Sequence, residues 1–179
     1  MTIDADLLEV NPVTGRRTGL AADARRALRA LKLAAVPHAV IGAAALAARG
    51  LPRMTKDLDI AVLVEDAFRA LDALRRAGFR SVTPINRAAE PDAMYVLRHG
   101  RAGGEVVLVA SGEPESTVVA DAAPARVFGA AAPVATLEHL VLMYLYSNQP
   151  RHFGDLARIV TETNVELGAV ERYLADVHP

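Results

Sequence analysis

Residues 38–64 read His38-Ala39-Val40-Ile41-Gly42, then alanine-rich sequence to Ala48, then Arg49-Gly50-Leu51-Pro52-Arg53-Met54-Thr55-Lys56, then Asp57-Leu58-Asp59-Ile60-Ala61-Val62-Leu63-Val64. The run before Gly42 predicts a buried strand, Gly42 a turn, residues 43–49 a short helix, and residues 57–62 a second strand that opens on two acids. Side chains alternate along a strand, so Asp57 and Asp59 share one face while Leu58 and Ile60 point into the core. Their Cβ atoms are then about 6.5–7 Å apart. Two carboxylates held that way suit a hard divalent cation such as Mg²⁺, which takes one or two protein carboxylates and completes its shell with water and phosphate oxygens.

The flanking residues extend this reading. A glycine at position 42 lets an anion approach the backbone, and the helix after it presents unpaired N–H groups, although a glycine there also serves plain close packing. Gly50-Leu51-Pro52 ends the helix, and the loop that follows brings Arg53, Thr55 and Lys56 up to the acidic pair. Arg53 and Thr55 are the candidates for substrate phosphate, because a guanidinium presents a rigid donor fork. Lys56 alternates away from Asp57 and is read as a solvated or neutralising charge.

Gly42-Ala43, then Arg53-Met54-Thr55-Lys56 and Asp57-Leu58-Asp59, resemble the signature of the DNA polymerase beta-like nucleotidyltransferase superfamily. The wording around the acids looks most like the small bacterial branch with the AbiEii/AbiGii-type toxins. The resemblance implies transfer of a nucleoside monophosphate from an NTP to an acceptor hydroxyl, with Mg²⁺ or Mn²⁺ on Asp57 and Asp59. It places substrate phosphate near Gly42, Ala43, Arg53, Thr55 and Lys56. It also implies a third carboxylate acting as base on a later strand. Aligned on Leu108-Val109-Ala110 that position falls on Val107, and Glu105, two residues earlier on the same face, is the substitute. Ala43 stands where the family has a second Gly or Ser, and Tyr144 where relatives often carry a lysine for the triphosphate. The acceptor implied is an RNA end such as tRNA, a protein hydroxyl or a small molecule, and the toxin-like wording adds an antitoxin-like protein partner.

Composition bounds these expectations. The chain has 179 residues, 52% hydrophobic and 23% charged, with a net charge of −1. That is ample for one packed domain, and bulk charge does not announce a nucleic-acid binder. The absence of cysteine removes disulfides, thiolate zinc sites and thiol nucleophiles. No apolar run reaches the length of a bilayer span, so no membrane partner and a cytoplasmic address are expected.

Along the chain, residues 1–19 read as an arm, and Leu20, Ala24, Ala27, Leu28 and Leu31 recur at helical spacing, with Asp23 and several arginines on the other faces. Residues 65–77 predict a helix burying Phe68, Leu71 and Leu74, residues 79–83 a strand, and residues 94–98 with 104–109 a hairpin. Residues 86–92 read as irregular, 113–122 as a short helix, and 126–128 as a brief strand. Thr136 predicts the N-cap of a helix to residue 146, followed by helices over 151–161 and 166–177. Arg151, His152 and Asp155 resemble the family's basic-then-acidic C-terminal helix, and the five histidines have no metal-ligand spacing.

The fold class expected is α/β (α+β): a nucleotidyltransferase-like mixed β-sheet flanked by helices, with an arm at 1–19, a core at 20–135 and C-terminal helices at 136–179. Two functions stand. One is an active nucleotidyltransferase. The other is a degenerate member of that fold acting as a nucleotide-binding or protein-interaction module, as the departures at Ala43, Val107 and Tyr144 suggest.

Overall fold

The computed structural model describes residues 19–84, 93–100, 104–110, 115–147 and 149–177. The readings of an arm at 1–18, of the irregular stretch at 86–92, of the turn residues 101–103 and of the helix start at 113–114 fall outside these residues. Helix α1 (Leu20–Leu33) is followed by β1 (His38–Ile41), α2 (Gly42–Ala48) and β2 (Asp57–Val62). A 3-10 turn at Val64–Asp66 leads into α3 (Ala67–Arg76), then β3 (Phe79–Pro84), β4 (Ala93–His99) and β5 (Glu105–Ala110). The chain continues through α4 (Glu115–Ala120), β6 (Ala123–Val127), β7 (Ala130–Val134), α5 (Leu137–Ser147), α6 (Pro150–Glu162) and α7 (Leu167–Val177).

The strands form one mixed sheet in the order β3-β4-β5-β2-β1-β7-β6. At its centre β1 and β2 are antiparallel, with Ile41 opposite Asp59, while β2 and β5 are parallel, with Asp57 beside Glu105 and Asp59 beside Val107. Partners on paired strands share a face, so this register decides which side chains can meet the acids. Burial alternates at the start of β2, where Leu58 and Ile60 are inaccessible and Asp57 and Asp59 are half-buried.

Helix α1 buries the apolar stripe that its spacing predicts, and it packs so closely on β5 that a Cβ on Gly104 would come 2.8 Å from the Leu20 Cα. Alternation puts position 104 on the same face as Val106 and Leu108. Helix α1 therefore covers the face opposite the one that carries Asp57, Asp59 and Glu105. Asp23 is an exception to the polar-outside pattern: it is buried, accepts a hydrogen bond from the Gly104 N–H at 3.0 Å, and pairs with His99 Nδ1 at 3.2 Å. A carboxylate that satisfies the residue just before one strand and pairs with the last of its neighbour locks the helix to the sheet.

Two expectations need correction. Phe68 is 81% exposed, because the 3-10 turn delays the helix until Ala67 and the buried stripe runs through Ala67, Ala70, Leu71 and Leu74. Phe68 then sits about 120° round the helix from that stripe. The brief strand expected at 126–128 is a full hairpin, β6 and β7, joined through Phe128 and Gly129 with φ of 47° and 79°. Both central residues have positive φ, the twist that favours two-residue hairpins, but the signal was Phe-Gly in place of the usual Asn-Gly. Thr136 does cap α5, its Oγ1 accepting the His139 N–H at 3.3 Å. Among the described residues no helix is long and apolar enough to cross a membrane.

Candidate active site

The turn from β1 into α2 is where the sequence leaves least freedom. Gly42 has φ of 63°, and a Cβ built there would stand 2.3 Å from the Asp59 Oδ2. Glycine is required twice over, for the left-handed backbone and for the space that the carboxylate occupies. Ala43 is buried, and its side chain offers no hydroxyl to a ligand.

Asp57 is held from its own loop. The Thr55 hydroxyl donates to Asp57 Oδ1 at 2.7 Å and lies 3.0 Å from the Asp57 carbonyl oxygen, a local side-chain turn of the kind threonine favours. Thr55 is thereby committed to orienting Asp57, and Lys56 is exposed. Burial and the neighbouring Asp57 charge push the Asp59 carboxyl up to about 7, while Arg151 and Arg53 draw it back. Two acids compete here for one negative charge, a conflict that a cation would resolve.

Arg53 reaches across to the C-terminal helices, its Nε 3.1 Å from Asp155 Oδ2, with Asp155 buried and Arg53 about 30% exposed. The Tyr144 ring stacks on His152, centroids 4.4 Å apart, and the buried Tyr144 hydroxyl lies beside the Arg53 guanidinium without a well-formed hydrogen bond. Burial, then the Asp155 charge, keeps that hydroxyl protonated. His152 Nδ1 bonds the Ser147 hydroxyl, which donates to the Tyr144 carbonyl at 3.0 Å, and Arg151 Nε donates to His152 Nε2 at 3.4 Å. That network assigns a neutral ring with its proton on Nδ1. Burial and the Arg151 charge lower the His152 pKa and favour the same neutral form. Asp155 is the fixed end of this assembly. Asp155→Ala would strand a half-buried guanidinium, and an unfolding free energy lower by about 1.5–3 kcal/mol, measured by urea denaturation, is expected.

Glu105 shares the face of Asp57 and Asp59 and lies next to Asp57 in register, but its carboxylate is held by Arg98, its partner on β4. Val107, beside Asp59, is buried. Among the described residues no three acidic or histidine side chains come close enough to hold one ion. Ser147 had no local sequence signal, and Tyr144 and Arg151 were marked only by the family resemblance, since the contacts all three make depend on how α5 and α6 pack. Arg49, at the end of the helix expected over 43–49, is structural: its guanidinium donates to Ala135 O at 2.9 Å and Val134 O at 2.7 Å, tying α2 to β7.

No family model and no curated protein matches the chain. Solved structures do. ANT(2'')-Ia in complex with adenylyl-2''-tobramycin is 15% identical over 87% of this chain and 95% of its own, with a TM-score of 0.62. The solution structure of the same antibiotic-resistance factor is 16% identical over 88% and 95%, with a TM-score of 0.60. The lincosamide antibiotic adenylyltransferase LnuA with lincomycin bound is 11% identical over 79% and 97%, with a TM-score of 0.55. A seven-stranded mixed sheet flanked by helices, superposable on these proteins over nearly their whole length, gives this chain a nucleotidyltransferase-like fold.

Proposed function

We propose that the protein is a metal-dependent nucleotidyltransferase that moves an NMP from an NTP to an acceptor hydroxyl, with release of pyrophosphate. The observation that carries this reading is the Asp59 carboxylate packed against Gly42 with Asp57 on the same face. Two half-buried acids, one of them driven towards protonation by burial and then by the other's charge, suit Mg²⁺ or Mn²⁺. Asp57 and Asp59 would hold the ion, which when bound supplies Lewis-acid stabilisation of charge on the phosphates and acidifies the attacking hydroxyl.

The chain's own groups do the rest. Gly42 leaves the backbone open to phosphate, with the Ala43 N–H as a donor. Thr55 fixes the Asp57 rotamer. Arg53, at the margin of the acids, offsets phosphate charge, and Asp155 sets where its fork points. Lys56 adds exposed positive charge next to Asp57 in the chain. Glu105 serves as base once its carboxylate leaves Arg98, a rotation on the face it already shares with Asp57. The acceptors compatible with this reading are an RNA end, a protein hydroxyl or a small molecule. A toxin-like role with a restraining antitoxin-like partner extends it along the sequence resemblance. The division into an arm at 1–19, a core at 20–135 and helices at 136–179 belongs to the same proposal, with Arg53 and Asp155 linking core to helices.

A second reading has its own observation. Val107 beside Asp59 and the Arg98 grip on Glu105 favour a fold that binds nucleotide without reacting. Incubation with α-labelled NTPs, Mg²⁺ or Mn²⁺, and total RNA or cell protein separates the two. The enzyme reading expects label in the acceptor fraction and its loss in Asp57→Asn. Nucleotide binding with no label in any fraction supports the inert fold.

A further inference from the structure

We propose that the groove between α1 and α3 binds the phosphodiester backbone of a nucleic acid strand. The groove has a volume of about 890 Å³ and is lined by Arg25, Arg26, Arg29, Arg69 and Arg76 against one acid, Asp72. In a chain of net charge −1 this is a marked local concentration of positive charge. Arg76 already pairs with Asp72 at 2.7 Å, Arg69 with Asp66 at 3.0 Å, and one Arg25 nitrogen with the Phe128 carbonyl at 3.0 Å. Arg26 and Arg29 are exposed and have no partner among the described residues.

The arrangement selects a repeated charge over a single anion. Arg25 and Arg29 are about 6 Å apart along the axis of α1, and Arg69 and Arg76 about 10 Å apart along α3. Separated guanidinium groups in a trough match successive phosphates, Arg26 and Arg29 offering paired donors and the already engaged Arg25, Arg69 and Arg76 adding charge and their remaining N–H groups. Ala30 and Ala73 line the trough without filling it, and Leu33, 77% exposed, offers an apolar surface to sugar or base. Because α1 covers the face opposite Asp57 and Asp59, this site is separate from the nucleotide site. The proposal goes beyond the transferase reading and does not require it, but if both hold the acceptor is a polynucleotide.

The test is fluorescence anisotropy of the full chain with end-labelled 20-mers of single-stranded RNA and of DNA, without NTP or divalent cation, from 50 to 200 mM salt. Binding that weakens steeply with salt is expected. Arg26→Glu/Arg29→Glu should bind at least tenfold more weakly, with a log–log salt slope shallower by about 1.4, two single-strand phosphate contacts. Arg26→Gln/Arg29→Gln should show a smaller loss in the same direction with an unchanged melting temperature, which guards against a folding artefact. Arg172→Glu, an exposed charge on α7, should stay within twofold of the parent. Tighter RNA binding assigns the strand as RNA, and equal affinity assigns recognition to phosphate alone. The proposal fails if neither strand binds, if Arg172→Glu weakens binding as much as the groove variants, or if polyglutamate displaces the strand as well as unlabelled RNA does, which would make the partner an acidic protein. A strand that binds while label transfer is never seen leaves the groove standing and removes only the transferase reading.

Discussion

Gly42→Ala is expected to reduce nucleotidyl transfer by about 100-fold or more, while Gly50→Ala leaves it within twofold. Both glycines have positive φ, 63° and 95°, so alanine costs backbone strain of about 1–2 kcal/mol at either position. They differ in what the new methyl meets. At Gly50 there is open space within 4 Å, whereas at Gly42 the methyl would lie 2.3 Å from Asp59 Oδ2. Restoring ordinary contact requires a displacement of about 1 Å, and an error of that size at a reacting centre costs roughly 100-fold. A direct titration with Mn²⁺ reads the same effect without catalysis: Gly42→Ala should bind the ion more weakly, and Gly50→Ala as the parent does. Equal losses in the two variants would mean that strain alone is felt and that the carboxylate is not fixed by its contact with the turn.

The second large effect concerns Asp59 and pH. Its carboxyl is raised from the ordinary 3.8 to about 7, by burial first and by the Asp57 charge second. A raised value means that the folded chain binds a proton more tightly than the unfolded chain. The stability this proton supplies is complete below pH about 4, declines as pH rises, and is gone above about 7. In metal-free protein, Asp59→Asn removes the titration. The melting temperature of the variant minus that of the parent should therefore grow more positive from pH 5 to pH 8, by several degrees, on the order of 5 °C. Saturating Mg²⁺ at pH 8 should raise the parent and leave the variant nearly unchanged, since an ion that binds the native state stabilises it. Parallel melting curves across that range would show that Asp59 is ordinarily solvated.

The groove proposal bears on how these experiments are run. A polynucleotide held on one face of the sheet and a nucleotide site on the other require a strand that passes around the molecule. Short acceptors would then react poorly for a reason unrelated to the acids. Testing label transfer on long RNA as well as on oligonucleotides separates chemistry from anchoring.

Period-two alternation through Asp57-Leu58-Asp59-Ile60 was enough to put two acids on one face, because pleating leaves no other arrangement. The glycine turn and the apolar stripe of α1 were equally plain, since each is a local requirement of backbone or periodicity. Local sequence could not announce the hairpin at Val127-Phe128-Gly129-Ala130, where a phenylalanine holds φ of 47°. Nor could it show that Asp23 is buried to serve the Gly104 N–H, 81 residues away.

What the sequence determined by itself was everything governed by neighbours along the chain: the acidic pair, the glycine between strand and helix, and the mixed α/β class. Only tertiary structure decided that Glu105 stands beside Asp57 with its carboxylate held by Arg98, that Val107 flanks Asp59, and that Arg53 pairs with Asp155. The arginines of α1 and α3 likewise became one groove only when the two helices packed side by side. Strand register and helix packing bring together residues tens of positions apart through side-chain fit and burial, and no local window of sequence contains both partners.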